Sequence, residues 1–123
     1  MKIMQLNHAA IHVTDLEKSR RFYAEVLGLK PISRPAFGFP GAWFRIGIDQ
    51  ELHLIAREVS PNAPPPTDRH FAMVVDSIDD AERLLREKAV EFRGPKPRPD
   101  GVQQIFLTDP DGYVIELSSA PKT

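Results

Sequence analysis

Two triplets, Leu52-His53-Leu54 and Ile115-Glu116-Leu117, set one polar group between bulky apolar neighbours. Buried without a partner, either polar group would cost about 1–3 kcal/mol or more. Side chains alternate faces along a strand, so His53 and Glu116 project away from the face their neighbours bury. His8 and His70 each open a strand-like run, His8-Ala9-Ala10-Ile11-His12-Val13 and His70-Phe71-Ala72-Met73-Val74-Val75, and can converge on that same face. Three imidazoles and a carboxylate are donors for zinc, nickel, iron, manganese or cobalt, and leave coordination positions for water or substrate oxygens. These residues predict one divalent metal per site, held by His8, His53, His70 and Glu116.

The elements that must position them repeat. Residues 3–13 alternate as a strand, and Thr14-Asp15-Leu16-Glu17 reads as a capping box before a helix carrying Phe22, Tyr23, Val26 and Leu27, with Gly28 closing it. Three β-prone runs follow, near residues 29–34, 42–48 and 51–56, separated by Pro35, Gly38, Pro40, Gly41 and a turn at Asp49-Gln50. Past the proline-rich connector, residues 59–66, the order begins again. A strand over residues 70–75 leads to a helix started by Ser77, with Ile78, Ala81, Leu84, Leu85 and Ala89 as its apolar stripe. Strands are predicted near residues 90–93, 102–108 and 113–118, the last two joined by Asp109-Pro110-Asp111-Gly112. Pro95-Lys96-Pro97-Arg98-Pro99-Asp100-Gly101 reads as a stiff loop.

An offset of 62 residues lays His8 over His70 and Leu16 over Ile78, and an offset of 63 lays His53 over Glu116. The expected fold is α+β, two βαβββ modules at about residues 1–58 and 67–120 within a single domain of 123 residues. Solvated residues have no reason to occupy equivalent slots of a duplicated unit, which strengthens the metal reading.

Bulk properties narrow the partners. With 16 basic and 17 acidic residues the net charge is -1, so no global field attracts nucleic acid or an anionic membrane. Cys is absent, which excludes thiolate catalysis, disulfides and Cys-based metal sites. The sequence shows no run near the ~20 apolar residues of a membrane span and no signal-peptide pattern at its start. The expectation is a cytoplasmic protein acting on a small molecule, and so short a chain favours self-association.

The opening His8-Ala9-Ala10-Ile11-His12-Val13-Thr14-Asp15-Leu16-Glu17, with Arg21-Phe22-Tyr23 and Val26-Leu27-Gly28-Leu29, resembles the vicinal oxygen chelate superfamily. So does the closing Asp109-Pro110-Asp111-Gly112-Tyr113-Val114-Ile115-Glu116-Leu117. That superfamily includes glyoxalase I, methylmalonyl-CoA epimerase, fosfomycin-resistance enzymes, extradiol dioxygenases and bleomycin-resistance proteins. The resemblance implies paired modules forming an incomplete barrel around one metal, commonly completed by a homodimer with shared sites. It places the four metal slots on His8, His53, His70 and Glu116. It departs from glyoxalase I at His53, where that enzyme usually has Glu, and at His12, where bacterial forms carry an Arg that helps hold glutathione.

A divalent metal on two adjacent substrate oxygens acts as a Lewis acid, so the resemblance implies a lyase or isomerase working through metal-stabilised enediolate chemistry. Glu116, the carboxylate of the set, is the candidate general base as well as a ligand. His12, Arg45, Arg57 and Trp43 are candidates for substrate contact: His12 shares the face of His8, Arg57 lies four residues beyond His53, and Trp43 stands beside a Gly- and Pro-rich rim bearing Phe37 and Phe39. Two other functions fit the family: a ring-cleaving extradiol-type dioxygenase and a non-catalytic drug-binding protein.

Overall fold

The computed structural model describes residues 2, 4–57 and 70–120; the proline-rich connector lies outside them. The chain divides into two compact units, Met1–Pro64 and Pro65–Thr123.

In the first unit β1 (His8–Val13) leads to α1 (Leu16–Arg21), which continues as a π-turn over Phe22–Val26. Then come β2 (Lys30–Ile32), β3 (Gly41–Ile46) and β4 (Gln50–Ala56). The sheet order is β1-β4-β3-β2, with β1 parallel to β4 and the other pairs antiparallel. A parallel neighbour needs a crossover, and α1 with β2 and β3 supplies it. The registers Ala9↔Leu52, Ile11↔Leu54 and Phe44↔Leu52 put the apolar set on one face, where Ile11, Val13, Phe44, Leu52 and Leu54 are buried with Tyr23 from the π-turn. The helix therefore covers that face and leaves the other to His8, Glu51, His53 and Trp43.

The second unit repeats the plan with β5 (His70–Val74), α2 (Ile78–Glu87), β6 (Arg93–Pro97), β7 (Gln103–Thr108) and β8 (Val114–Ser118), in the order β5-β8-β7-β6. Met73, Ile105, Leu107, Ile115 and Leu117 bury one face together with Ile78 and Leu85 of α2. The paired βαβββ expectation is met as two four-stranded mixed sheets, neither closed into a barrel.

Local details differ from the sequence reading. The first helix is capped by Asp15, whose carboxylate accepts from the Lys18 N–H at 3.1 Å, and not by Thr14; a reciprocal box is absent because the third helical position is Lys18. Gly28 does close the helix, at φ 71, with Leu29 N–H donating to the Tyr23 carbonyl at 2.9 Å. β1 starts at His8, with residues 4–7 of the expected strand outside it and residue 3 outside the described residues. β3 stops at Ile46, because Gly47 at φ 61 begins the turn and leaves Ile48 96% exposed. In α2, Ser77 caps as expected, but Leu84 is 42% exposed: Ile78 and Leu85, seven residues apart, define the buried line, and Leu84 falls to its side. The helix ends at Glu87, short of Ala89.

The largest correction is β6, expected at residues 90–93 and found at Arg93–Pro97, so that it runs on into the first three residues of the segment read as a loop. Proline removes a ladder donor but is tolerated on an edge strand, and β6 is an edge, paired with β7 at Arg93, Lys96 and Pro97 across a register shift.

Candidate functional site

In the first unit the polar face of the sheet gathers rings. β1 and β4 run parallel with His8 opposite Glu51 and Ala10 opposite His53, while β3 sets Trp43 opposite His53 and Arg45 opposite Glu51. Trp43 lies flat on His53, with ring centroids 3.8 Å apart and planes 2° from parallel. His8 stacks on His53 at 4.2 Å and 18°. His53, only 9% exposed, donates from Nε2 to the Glu51 carboxylate at 2.9 Å, and Arg45 Nη1 lies 3.9 Å from the other Glu51 oxygen. The His8 Nδ1–H donates to Asn7 Oδ1 at 2.7 Å, which directs the Nε2 lone pair away from Asn7.

In the second unit β5 and β8 place Ala72 opposite Glu116 and His70 opposite Val114, so His70 and Glu116 share the equivalent face. His70 Nε2 lies 3.2 Å from Glu116 Oε1. Phe106 is registered against Glu116 as Trp43 is against His53, and meets the His70 ring edge-on at 5.9 Å. The Asp109 turn holds the entry to β8: its buried carboxylate accepts from the Asp111 and Tyr113 N–H groups, both at 2.9 Å.

Each unit thus presents two of the four expected donors as a contacting pair: His8 with His53, and His70 with Glu116. Among the described residues no cluster of three or more imidazole and carboxylate groups is assembled to hold a metal. The donor chemistry nonetheless fits a divalent cation. The Glu116 side chain is 7% exposed, and its ion-pair partner among the described residues is an imidazole. Arg98 also acts on it electrostatically, and a buried carboxylate set against an imidazole is a donor pair that a divalent cation can take up.

Of the substrate candidates, Trp43 and Arg45 reach the His pair, Arg45 through Glu51. His12 shares their face farther along β1, opposite Ile55; at about 3.3 Å of rise per residue it stands roughly 7 Å along the sheet from His53, two residues past Ala10, which lies opposite that histidine. Arg57 stands roughly 13 Å along from His53 on the same rise; it has left β4, and its N–H donates to the Val13 carbonyl at 2.9 Å. Glu51 and Phe106 were missed in the sequence. Glu51 lies two residues before His53, so strand period alone places it on the His53 face.

The chain matches the Glyoxalase/Bleomycin resistance protein/Dioxygenase superfamily over residues 5–117, and it belongs to that family. It is 32% identical to Glyoxylase I 4 of Arabidopsis thaliana, over 95% of this chain and 71% of that protein. It is 34% identical to the lactoylglutathione lyase of Neisseria meningitidis serogroup A, over 93% of this chain and 89% of that protein. Among solved structures, a protein assigned to the glyoxalase family from Bacillus anthracis superposes with a TM-score of 0.84 at 29% identity, over 99% of this chain and 98% of its own. Among the described residues no helix is long and apolar enough to cross a membrane.

Proposed function

We propose that the protein is a glyoxalase-like, divalent-metal-dependent lyase or isomerase acting on a small substrate with two adjacent oxygens. The observation that carries the reading is the buried Glu116 carboxylate held against His70, in the slot equivalent to the one where His53 meets His8. Likeness to proteins named glyoxalase I and lactoylglutathione lyase supports the same class.

The residues that would hold the metal are His8 and His53 of one subunit with His70 and Glu116 of a second copy, in a homodimer with shared sites. When bound, the metal would supply Lewis acidity to the paired substrate oxygens. Glu116 takes the proton from the neighbouring C–H and returns it to the adjacent carbon, so one carboxylate serves as base and then as acid with no net change. Burial of Glu116 beside His70 keeps bulk water from competing for that proton. Trp43, flat against His53, fixes the imidazole plane, and Glu51 holds its Nε2 edge.

Elemental analysis of protein purified without chelators or a metal-affinity tag, followed by titration of the metal-free form, tests the site. About one divalent metal per chain is expected, with affinity lowered more than about tenfold in His53→Ala and Glu116→Ala. Unchanged affinity in both variants would show the site to be wrongly assigned. Oxygen uptake dependent on ferrous iron would favour ring-cleaving oxygenase chemistry instead, and metal-independent binding of a drug without turnover would favour a sequestering role.

A further inference from the structure

The stack on His53 does not end at Trp43. Phe37 packs on Trp43 with centroids 5.9 Å apart, and Phe39 stacks on Phe37 at 5.5 Å and 21°. A ladder of rings therefore runs Phe39, Phe37, Trp43, His53, His8, from the β2–β3 loop to the proposed ligands. Its outer end is open, with Phe37 and Phe39 each 45% exposed.

This exposed end is built. The Arg34 guanidinium lies 4.9 Å from the centroid of both phenylalanine rings, and its Nη2 donates to the Phe39 carbonyl at 2.8 Å. Gly41 makes room for it: a Cβ there would stand 3.0 Å from the Arg34 guanidinium and 2.5 Å from the Leu54 carbonyl oxygen. Pro35 and Pro40 bracket the loop and lower the entropy it loses on ordering. Rings held in place at a surface by their own stacking and by Arg34 are preorganised, and aromatic surfaces recognise flat apolar groups by offset or edge-to-face stacking.

We infer that Phe37, Phe39 and Trp43 form a stacking subsite for a planar aromatic group carried by the substrate, next to the carbon bearing its paired oxygens. The inference rests on the metal reading above for the position of those oxygens. The substrate class is an aryl-substituted α-hydroxycarbonyl compound, in preference to one whose substituent is a small alkyl group.

Mandelate and lactate both carry an α-hydroxy acid and differ as phenyl against methyl. Trp43 is the single tryptophan, so its emission reports occupation of the wall. Titrated into zinc-loaded full-length protein, mandelate is expected to bind about tenfold tighter than lactate, the order of one stacking contact. In Phe37→Ala/Phe39→Ala the preference should fall to about two-fold or less while lactate affinity is kept, with Phe37→Leu/Phe39→Leu controlling for bulk; both pairs alter exposed rings, and circular dichroism checks that each variant folds. Equal affinities in the parent, no mandelate binding at all, or a preference that survives both variants would overturn the subsite. Mandelate preference that persists in protein stripped with EDTA would remove the metal reading and leave the subsite standing.

Discussion

Trp43 and His53 lie face to face, with ring centroids 3.8 Å apart and planes 2° from parallel, on adjacent antiparallel strands whose register sets them directly opposite each other. Cross-strand pairing of this kind converts sheet register into orientation of a functional ring. Any ligand that draws on the His53 nitrogens must change the electronic surroundings of the only tryptophan in the chain. Zinc added to metal-free protein is therefore expected to shift or quench Trp43 emission saturably, and His53→Ala should remove the response. A full response in that variant would separate metal binding from His53.

The subunit origin of the donors is open to complementation. A protomer carrying His8→Ala and His53→Ala retains His70 and Glu116, and one carrying His70→Ala and Glu116→Ala retains the other pair. If sites are shared across a homodimer, mixing the two inactive variants rebuilds one complete site per heterodimer. Light scattering should show a dimer, and the mixture should bind about half the metal of the parent per heterodimer formed. A mixture that binds none, despite verified subunit exchange, would place all four donors within one chain.

Gly41 is a packing position as well as a loop end. A Cβ added there meets the Leu54 carbonyl oxygen at 2.5 Å, which is backbone and cannot swing aside. Gly41→Ala is expected to cost about 1–3 kcal/mol in chemical denaturation, from forced separation of β3 and β4. It should also displace Arg34 and raise the solvent accessibility of Phe37 and Phe39, read by ring proton shifts.

Arg98 and Asp100 form an exposed pair in which Arg98 Nε donates to the Asp100 carboxylate at 3.0 Å. That hydrogen bond, with help from the Val102 N–H at 3.2 Å, lowers the Asp100 carboxyl to about 2. A depressed carboxyl contributes stability above its unfolded value, and that contribution is lost as pH falls through the folded value. Carbon-detected NMR titration should place the Asp100 midpoint near 2, and Arg98→Ala should move it up toward the ordinary carboxylate range. A midpoint unmoved by that substitution would assign the depression to the backbone contact alone.

The module repeat and the sharing of a face by His8 with His53 and by His70 with Glu116 were legible in the sequence, because a period of two leaves a polar residue between buried neighbours no other side to occupy. The same logic would have found Glu51, two residues from His53. It could not find β6, because Pro95 and Pro97 are compatible with a strand only when their missing donors face an empty edge, and edge position is a tertiary fact. Nor could it rank His12 and Arg57 against Arg45. All lie near a proposed ligand in sequence or in face, but only the strand register reveals that Arg45 stands opposite Glu51, while His12 stands opposite Ile55 and Arg57 lies beyond the end of β4.

Glyoxalase I usually places a carboxylate in the slot that His53 fills, and exchange of an anionic donor for a neutral imidazole raises the net positive charge at a bound metal by one unit. Lewis acidity should rise, while a proton acceptor on that side of the substrate is lost. Glu51 does not replace it directly, since its carboxylate is already engaged by His53 Nε2 at 2.9 Å and approached by Arg45 at 3.9 Å. On the proposed mechanism, a proton shuttle that needs bases on both faces of the substrate should therefore be impaired, whereas one-base chemistry through Glu116 should survive. Activity on the methylglyoxal–glutathione hemithioacetal is expected to be weak or absent, with partial recovery in His53→Glu. Steady-state kinetics on both proteins, each loaded in turn with nickel, zinc, manganese and ferrous iron, measure this. Robust turnover by the unmodified protein would show that a histidine in that slot does not impair the shuttle.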